Sequence, residues 1–325
     1  LLGLFLLLAV LIVTSGVALT HFADRIAEMT AMGHSLAGLL LLAAATSLPE
    51  LSVGWAAIRI EAPDLAMGEL LGSCLWNLLL LAILDLATRT RGRMFSPDSA
   101  AQALLATVTV LLAAIIMLGL TLKSQFVFLR ISPLSWSILI GYVLCVRLVY
   151  RDHGSESEID RGELARRGPG RGVAIVGFLV AAAVIFFAAP NLASVADQLA
   201  EKTGWGDTFL GVTFVALVTS LPEAVTTLAA IRLGRVNMAV ANIFGSNAFN
   251  LTIIAALDVA TPDSLLASVS EVHLIAVTAV ILVTAVALLG ILYRAEKRYW
   301  LIEPDAVLVI MLLIGTLVLI YQHSV

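Results

Sequence analysis

Long apolar stretches alternate with short polar or Gly/Pro-containing segments along the whole chain. A bilayer core about 30 Å thick is crossed by about 20 residues of α-helix. Ten stretches have roughly this length, so the pattern predicts ten membrane-spanning helices. They lie at about 1–20, 35–58, 65–88, 101–122, 131–150, 173–193, 208–231, 238–260, 267–293 and 305–322.

The composition supports an all-α polytopic membrane protein. Hydrophobic residues make up 60% of the 325 positions and charged residues only 13%, and the mean hydropathy is +1.02. Soluble domains are about 45–50% apolar and about 25% charged. The excess of apolar residues therefore predicts that the chain lies in a lipid bilayer and exposes apolar surface to it. The net charge of −4 is small, and we expect no nucleic-acid partner.

Sequence motifs for an enzyme or a resident cofactor are missing from the chain. The five histidines are scattered, and neither H-E-x-x-H nor a Cys/His cluster with zinc spacing occurs. Cys74 and Cys145 both lie in apolar runs and are predicted to be buried free thiols. We therefore expect a transport protein without a cofactor. A passive channel and an intramembrane enzyme are the competing classes.

The distribution of Lys and Arg predicts the orientation in the membrane. With ten spans, one set of loops and helix ends contains 15 of these residues and the other contains 4. Cytoplasmic loops carry the excess of positive charge. Both termini are therefore expected outside the cell membrane, which in a bacterium is the inner membrane. The segment 151–172 is expected to be a cytoplasmic linker.

The first apolar stretch has two interpretations. It lacks the basic segment of a secretory signal peptide and continues as an amphipathic stretch from Phe22 to Thr30. This favours a membrane helix, and a signal peptide is the alternative.

An internal repeat relates the two halves of the chain. Residues 23–88 align with 196–261 without a gap, and 27 of the 66 positions are identical. Each half contains five predicted spans, an odd number, so the second copy crosses the bilayer in the opposite direction. Inverted repeats of this kind are typical of secondary transporters. The predicted organisation is a first repeat at 1–150, the linker and a second repeat at 173–325.

The second span of each half contains the motif T-S-L-P-E, which ends at Glu50 and at Glu223. Proline inside a helix removes a backbone donor and clashes with the carbonyl one turn earlier. We therefore expect broken helices with freed carbonyls near Ala43 and Ala216. An ionised carboxylate in the bilayer costs at least roughly 2.5–3.5 kcal/mol. Both glutamates should therefore face the protein interior and be paired or bind a cation.

The third span of each half contains a second repeated motif, G-S-C-L-W-N or G-S-N-A-F-N. Ser73 and Asn77 are four residues apart, as are Ser246 and Asn250, so each pair shares one helix face. The motifs should bring carboxylates, hydroxyls and amides to one depth in the bilayer. Such oxygen ligands suit Ca²⁺ and Na⁺ rather than zinc or copper. Helix packing is an alternative role for the two serines.

At these residues the sequence resembles the sodium/calcium exchanger family of the calcium/cation antiporter superfamily. The family carries [GA]-[ST]-S-x-P-E on one helix of each repeat and G-S-N-x-x-[ND] on the next. The resemblance implies cation exchange by alternating access, with sliding of two long helices at about 1–30 and 173–202. It also implies a ligand set for the transported ions: Glu50, Glu223, Thr46, Ser47, Thr219, Ser220, Ser73, Asn77, Ser246, Asn250 and the carbonyls of Ala43 and Ala216.

Three departures from the family pattern concern the ion site. Val218 precedes the second T-S where many members have a smaller residue, Cys74 and Trp76 alter the first G-S-N motif, and Asn250 stands where many prokaryotic relatives have Asp. The G-N-A-T-E run of the proton-coupled branch is absent. The resemblance therefore implies exchange of Ca²⁺ for Na⁺, with H⁺ or K⁺ as alternative counter-ions.

Glu69 is a further difference between the halves, because the repeat aligns it with Asn242. It shares a helix face with Ser73 and Asn77 and lies roughly 8 Å inside its span. One interpretation is a glutamate whose long side chain reaches the membrane interface. The other is an external carboxylate that concentrates cations at the mouth of the pathway.

Overall fold

The computed structural model describes residues 1–30, 33–87, 100–152, 170–202, 217–261, 263–292 and 304–324. These residues form α-helices and no extended strand, with one isolated bridge between Phe128 and Ile131. A π-helical segment lies at Gly38–Leu42, and a 3₁₀ turn lies at Asp258–Ala260. The α-helices are α1 Leu2–Met29, α2 Gly33–Ala37, α3 Ala43–Arg59, α4 Pro63–Ala87, α5 Ala100–Leu122, α6 Pro133–Asp152, α7 Arg171–Lys202, α8 Leu221–Arg232, α9 Val236–Leu257, α10 Leu265–Ser268, α11 His273–Leu292 and α12 Pro304–Ser324.

The predicted class, an all-α polytopic membrane protein, is confirmed. Within the described ranges, eight helical segments are long and apolar enough to cross a bilayer, and a shorter apolar segment lies at Val307–Leu319 in α12. The predicted span at 208–231 is described only from residue 217 onward and contains α8. Large apolar side chains such as Leu7, Val10 and Phe187 are exposed, as expected for helices in lipid.

The helices pack as two compact units. Unit 1 contains Leu1–Pro49 and Val146–Ser246, and unit 2 contains Glu50–Cys145 and Asn247–Val325. Each unit thus combines parts of both predicted repeats. The unit boundaries therefore cut across the sequence halves, and the division into two inverted repeats stays a prediction.

In unit 1, α1 packs lengthwise against α7 and also contacts α8. The contact with α8 depends on Gly16, because a Cβ there would lie 2.8 Å from Cγ1 of Val225. At the next turn of α1, the Thr20 hydroxyl lies 2.9 Å from the carbonyl of Gly16 and 3.3 Å from that of Thr226. These contacts fix the helix that follows Glu223 against α1.

Charged side chains connect the end of α1 with the start of α9 in the same unit. Arg235 donates through Nε to Oδ1 of Asp24 at 2.7 Å and through Nη2 to Oε1 of Glu28 at 2.6 Å. Nε2 of His34 lies 3.0 Å from the same Asp24 oxygen. These side chains are only partly exposed, so the ion pairs are less screened than pairs in open solvent.

In unit 2, α11 packs against α4, α5 and α12. The buried carboxylate of Asp258 joins three chain segments, since Oδ2 accepts from the backbone N–H of Ser132 at 2.6 Å and Oδ1 accepts from that of Leu265 at 2.6 Å. Two helix starts, those of α6 and α10, thereby receive an acceptor for otherwise unpaired N–H groups. Asp258 is thus a structural carboxylate.

Candidate functional site

The first T-S-L-P-E motif lies inside α3, which continues through Pro49. The helix break expected at this proline does not occur. The irregular hydrogen bonding lies earlier, in the π-helical segment, where the N–H of Ala43 donates to the carbonyl of Gly38, five residues back. Proline is tolerated inside membrane helices when the surrounding structure satisfies the freed backbone groups. A π-helical turn is an insertion that is often found at functional sites.

The second T-S-L-P-E motif does interrupt a helix, as expected. Residues 217–219 are helical, Ser220 is not (φ −84°, ψ 10°), and α8 begins at Leu221 with Pro222 in its first turn. Proline is favoured in the first turn because its missing N–H has no helical partner there. Glu223 consequently lies in the first turn of α8, where the positive end of the helix dipole stabilises a carboxylate. Ala216 lies outside the described residues.

Unit 1 buries most of its predicted ligands. Glu223 is 1% exposed, and Thr219 is half-buried. The hydroxyls of Thr46 and Ser246 lie 3.4 Å apart, and the Glu223 carboxyl is adjacent to Thr46. The structure therefore brings together predicted ligands from both repeats within this unit. The other buried members of the group are Ala43, Ser47 and Ser220.

Two glycines allow this approach of helices in unit 1. A Cβ at Gly245 would lie 3.0 Å from Cα of Leu39 and 3.0 Å from Cβ of Ala43. A Cβ at Gly38 would lie 2.5 Å from the carbonyl oxygen of Met238. The start of the second span and the middle of α9 therefore meet backbone to backbone, which places Ser246 beside Thr46.

The polar oxygens of unit 1 have unused hydrogen-bonding capacity. The Thr46 hydroxyl lies 3.0 Å from the carbonyl of Leu42, to which it donates. Neither carboxylate oxygen of Glu223 accepts a hydrogen bond of normal geometry from a described residue, and the buried hydroxyls of Ser47 and Ser220 also lack such a bond. A buried carboxylate without a partner is costly. A cation would satisfy this group of oxygens.

Unit 2 buries the remaining predicted ligands, and Glu50 is 2% exposed. The amide nitrogen of Asn77 donates to Oδ1 of Asn247 at 3.0 Å, and Nδ2 of Asn247 donates to the carbonyl of Cys74 at 3.1 Å. Oδ1 of Asn77 has no hydrogen bond to a described residue. Asn77 therefore keeps its oxygen free for a ligand. The other buried members are Ser73 and Asn250.

Asn247 is a residue that the sequence interpretation missed. The repeat aligns it with Cys74, whose thiol lies 3.8 Å from the backbone carbonyl of Asn247. A thiol cannot form the pair of amide hydrogen bonds that Asn247 makes. The signal in the sequence was the departure at Cys74, which marks the place where the two G-S motifs differ. Both Cys74 and Cys145 are buried free thiols, as predicted.

These features define a class of protein. The chain crosses the membrane several times and buries carboxylate, hydroxyl and amide oxygens on helices with irregular turns. Such sites in membrane proteins mark ion pathways.

The chain belongs to the family described as sodium/calcium exchanger protein, which matches residues 1–150 and 173–323. It is therefore a membrane cation exchanger and not an enzyme. It is 32% identical to the inner membrane protein YrbG of Escherichia coli K12 over 251 residues, 76% of this chain and 75% of YrbG. It is 29% identical to CaxA of Alkalimonas amylolytica over 264 residues, 78% of this chain and 77% of CaxA.

The fold is similar to solved structures of the sodium-calcium exchanger NCX_Mj. In one of these, the TM-score is 0.72 at 21% sequence identity, and the match covers 98% of this chain and 97% of NCX_Mj. This likeness establishes a common fold.

Proposed function

We propose that this protein exchanges Ca²⁺ for Na⁺ by alternating access. The observation that carries the proposal is the buried carboxylate of Glu223, which accepts no hydrogen bond of normal geometry from a described residue and lies beside the Thr46 hydroxyl. Glu50 is its repeat mate and is equally buried. The family description and the name of NCX_Mj, a sodium-calcium exchanger, support the choice of ions.

The proposed ligands divide into charged and neutral groups. Glu50 and Glu223 supply the two negative charges that a divalent ion needs to offset its loss of hydration. The hydroxyl and amide oxygens complete the coordination of Ca²⁺ or, in exchange, of Na⁺. These neutral ligands are Thr46, Ser47, Thr219, Ser220, Ser73, Asn77, Ser246, Asn250 and the carbonyls of Ala43 and Ala216.

Radioactive calcium flux in proteoliposomes tests the proposal. Vesicles loaded with ⁴⁵Ca²⁺ are diluted into Na⁺, K⁺ or acidic medium in turn, with choline as the control cation. We expect rapid efflux in Na⁺ and background efflux in choline. Efflux driven by K⁺ or by the proton gradient, without a Na⁺ response, would contradict Na⁺ coupling and favour the alternative counter-ion. Efflux in choline equal to that in Na⁺ would indicate a channel.

Two charge-neutralising variants test the ligand assignment. Glu50→Gln and Glu223→Gln each keep the side-chain shape, and we expect Na⁺-driven calcium efflux from either variant to fall to background. Gel filtration and thermal unfolding in detergent serve as the controls for folding. Parental flux in a folded variant would contradict the assignment of that glutamate.

We also propose the orientation of the chain. The excess of Lys and Arg in one set of loops supports termini outside the membrane and a cytoplasmic segment 151–172. The relative YrbG is named an inner membrane protein, which supports that membrane for this chain. In a chain carrying Ser157→Cys together with Cys74→Ala and Cys145→Ala, we expect labelling only from the cytoplasmic side. Labelling from outside intact cells would reverse the orientation.

A further inference from the structure

The second repeat shows what an amide does at the position of Glu69. Its mate Asn242 is fully buried on α9 and donates through Nδ2 to the hydroxyls of Thr226 and Thr227, both at 3.0 Å. Both threonines belong to α8. Asn242 therefore joins α8 to α9, and the role of its amide nitrogen is structural.

The first repeat has neither of these hydroxyl partners. The mates of Thr226 and Thr227 are Val53 and Gly54. A Cβ at Gly54 would lie 2.9 Å from Cδ1 of Leu257 and 3.9 Å from Cδ1 of Leu70, the residue that follows Glu69. The contact between α3 and α4 is thus apolar next to Glu69. The structural hydrogen bonds of the second repeat have no counterpart here.

Glu69 carries a carboxylate oxygen that none of the described residues satisfies. Oε2 of Glu69 is buried and has no hydrogen bond to any described residue, although part of the side chain remains accessible. The neighbouring imidazole of His273, which packs at Gly68, is bonded through Nε2 to Asp64 at 2.9 Å. In the described parts of the chain, no ion pair involves Glu69. An unpartnered buried carboxylate oxygen is costly, and a cation beside Oε2 would offset this cost.

The position of Glu69 on α4 connects it with the ligands proposed above. Residues 69, 73 and 77 are four apart and share one helix face, at intervals of about 6 Å. Ser73 and Asn77 are both buried, and Asn77 has a free oxygen. A carboxylate, a hydroxyl and an amide oxygen therefore follow one another along α4, from near its N-terminal end towards its middle.

We propose that Glu69 binds a monovalent metal cation, Na⁺, at a site on α4 separate from Glu50 and Glu223. The inference rests on the proposed function, in which Ser73 and Asn77 are ligands. The choice of a monovalent ion follows from charge: one carboxylate with neutral oxygens balances one positive charge and leaves a divalent ion half-compensated. Na⁺ passes through this site on its way along α4.

The test compares Glu69→Gln, which removes the charge, with Glu69→Asp, which keeps it. Glu61→Gln is the matched control, since it removes an equal charge from an exposed position in the turn before α4. Purified proteins are measured for Na⁺-dependent thermal stabilisation in detergent and for Na⁺-driven ⁴⁵Ca²⁺ efflux from proteoliposomes.

We expect Glu69→Gln to raise the half-maximal Na⁺ concentration about tenfold in both assays. Calcium half-saturation should stay within about twofold of the parent, a difference below about 0.4 kcal/mol. Glu69→Asp and Glu61→Gln should respond to Na⁺ like the parent.

Three results with the Glu69→Gln variant would overturn the proposal. If the half-maximal Na⁺ concentration is unchanged in Glu69→Gln, Glu69 does not bind Na⁺. If the half-maximal concentrations of Na⁺ and Ca²⁺ rise equally, Glu69 attracts both cations without selecting Na⁺. If Glu69→Gln alters only the pH dependence of calcium efflux, Glu69 binds a proton and not Na⁺. The thermal assay separates this proposal from the proposed function, because it needs no calcium transport. If Na⁺ stabilises the parent protein but the parent shows no calcium flux, the proposed exchange of Ca²⁺ for Na⁺ alone is contradicted. If Na⁺ does not stabilise the parent protein, the Na⁺ site at Glu69 is contradicted.

Discussion

Helices α4 and α9 are matched by the repeat, yet their G-S motifs have different surroundings. A Cβ at Gly245 of α9 would meet the backbone of Leu39, whereas a Cβ at its mate Gly72 of α4 would meet nothing within 4 Å. At this position of the motif, close helix packing requires a glycine in the second repeat, whereas in the first repeat there is space for a larger side chain. Sequence symmetry preserves the polar groups of the motif without preserving the packing around them.

The amides next to these glycines differ in the same way. In α9, Asn247 bonds to the carbonyl of Cys74 and to the amide of Asn77. In α4, Cys74 occupies the matching position, and its thiol lies 3.8 Å from the backbone carbonyl of Asn247. Asn77 is therefore oriented by the amide of Asn247, whereas the residue at the matching position for its mate Asn250 is a cysteine, which has no amide.

The largest effect on thermal stability is expected for alanine substitutions at Gly245 and Gly72. Gly245→Ala forces a Cβ to 3.0 Å from the backbone of Leu39, and overpacking of this kind costs about 1–3 kcal/mol. Gly72→Ala has space and improves helix propensity by up to about 1 kcal/mol. Thermal unfolding in detergent should show a clear loss of stability for the first variant and none for the second. Equal melting temperatures for the two variants would contradict the difference in packing.

An intermediate effect is expected for the amide pair. Asn247→Cys removes the acceptor for Asn77, and loss of one hydrogen bond costs about 0.5–1.5 kcal/mol, or about 2–10-fold in affinity. We expect the Ca²⁺ concentration for half-maximal exchange to rise by this factor, with a smaller change in the maximal rate of exchange. Cys74→Asn is the matched control and should leave half-saturation unchanged or lower it. If Asn247→Cys binds Ca²⁺ like the parent, Asn247 does not position Asn77.

The smallest effect is expected at the ends of the two long helices. Asp24 and Glu28 of α1 pair with Arg235, while their mates Asp197 and Glu201 of α7 are exposed. The repeat aligns Arg235 with an alanine, so the second pair of acids has no matching arginine.

Arg235→Gln should therefore lower the thermal stability by up to about 1 kcal/mol, because the ion pairs are only partly buried. Asp197→Asn, which removes an exposed charge, should have no measurable effect. Both are read by thermal unfolding at low and high salt, and the effect of Arg235→Gln should shrink at high salt. A loss of equal size in Asp197→Asn would show that the two helix ends are equivalent.

The sequence alone determined the membrane class, the approximate spans and the burial of the two motif glutamates. These follow from local rules: about 20 apolar residues cross the bilayer, and a charge within such a stretch must be buried in protein. Glu50 and Glu223 are buried for this reason, whatever their neighbours. The G-S and T-S-L-P-E motifs could be found because each occurs twice.

Only the tertiary structure decided how each repeated residue is used. The hydrogen bonds of Asn247 connect it with Asn77 and Cys74, which lie far away in the chain, and the motif did not predict that α3 continues through Pro49. A proline breaks a helix or is accommodated according to what surrounds it, and an amide is structural only where hydroxyls meet it, as they meet Asn242. Residue type determines which bonds are possible, and packing determines which of them form.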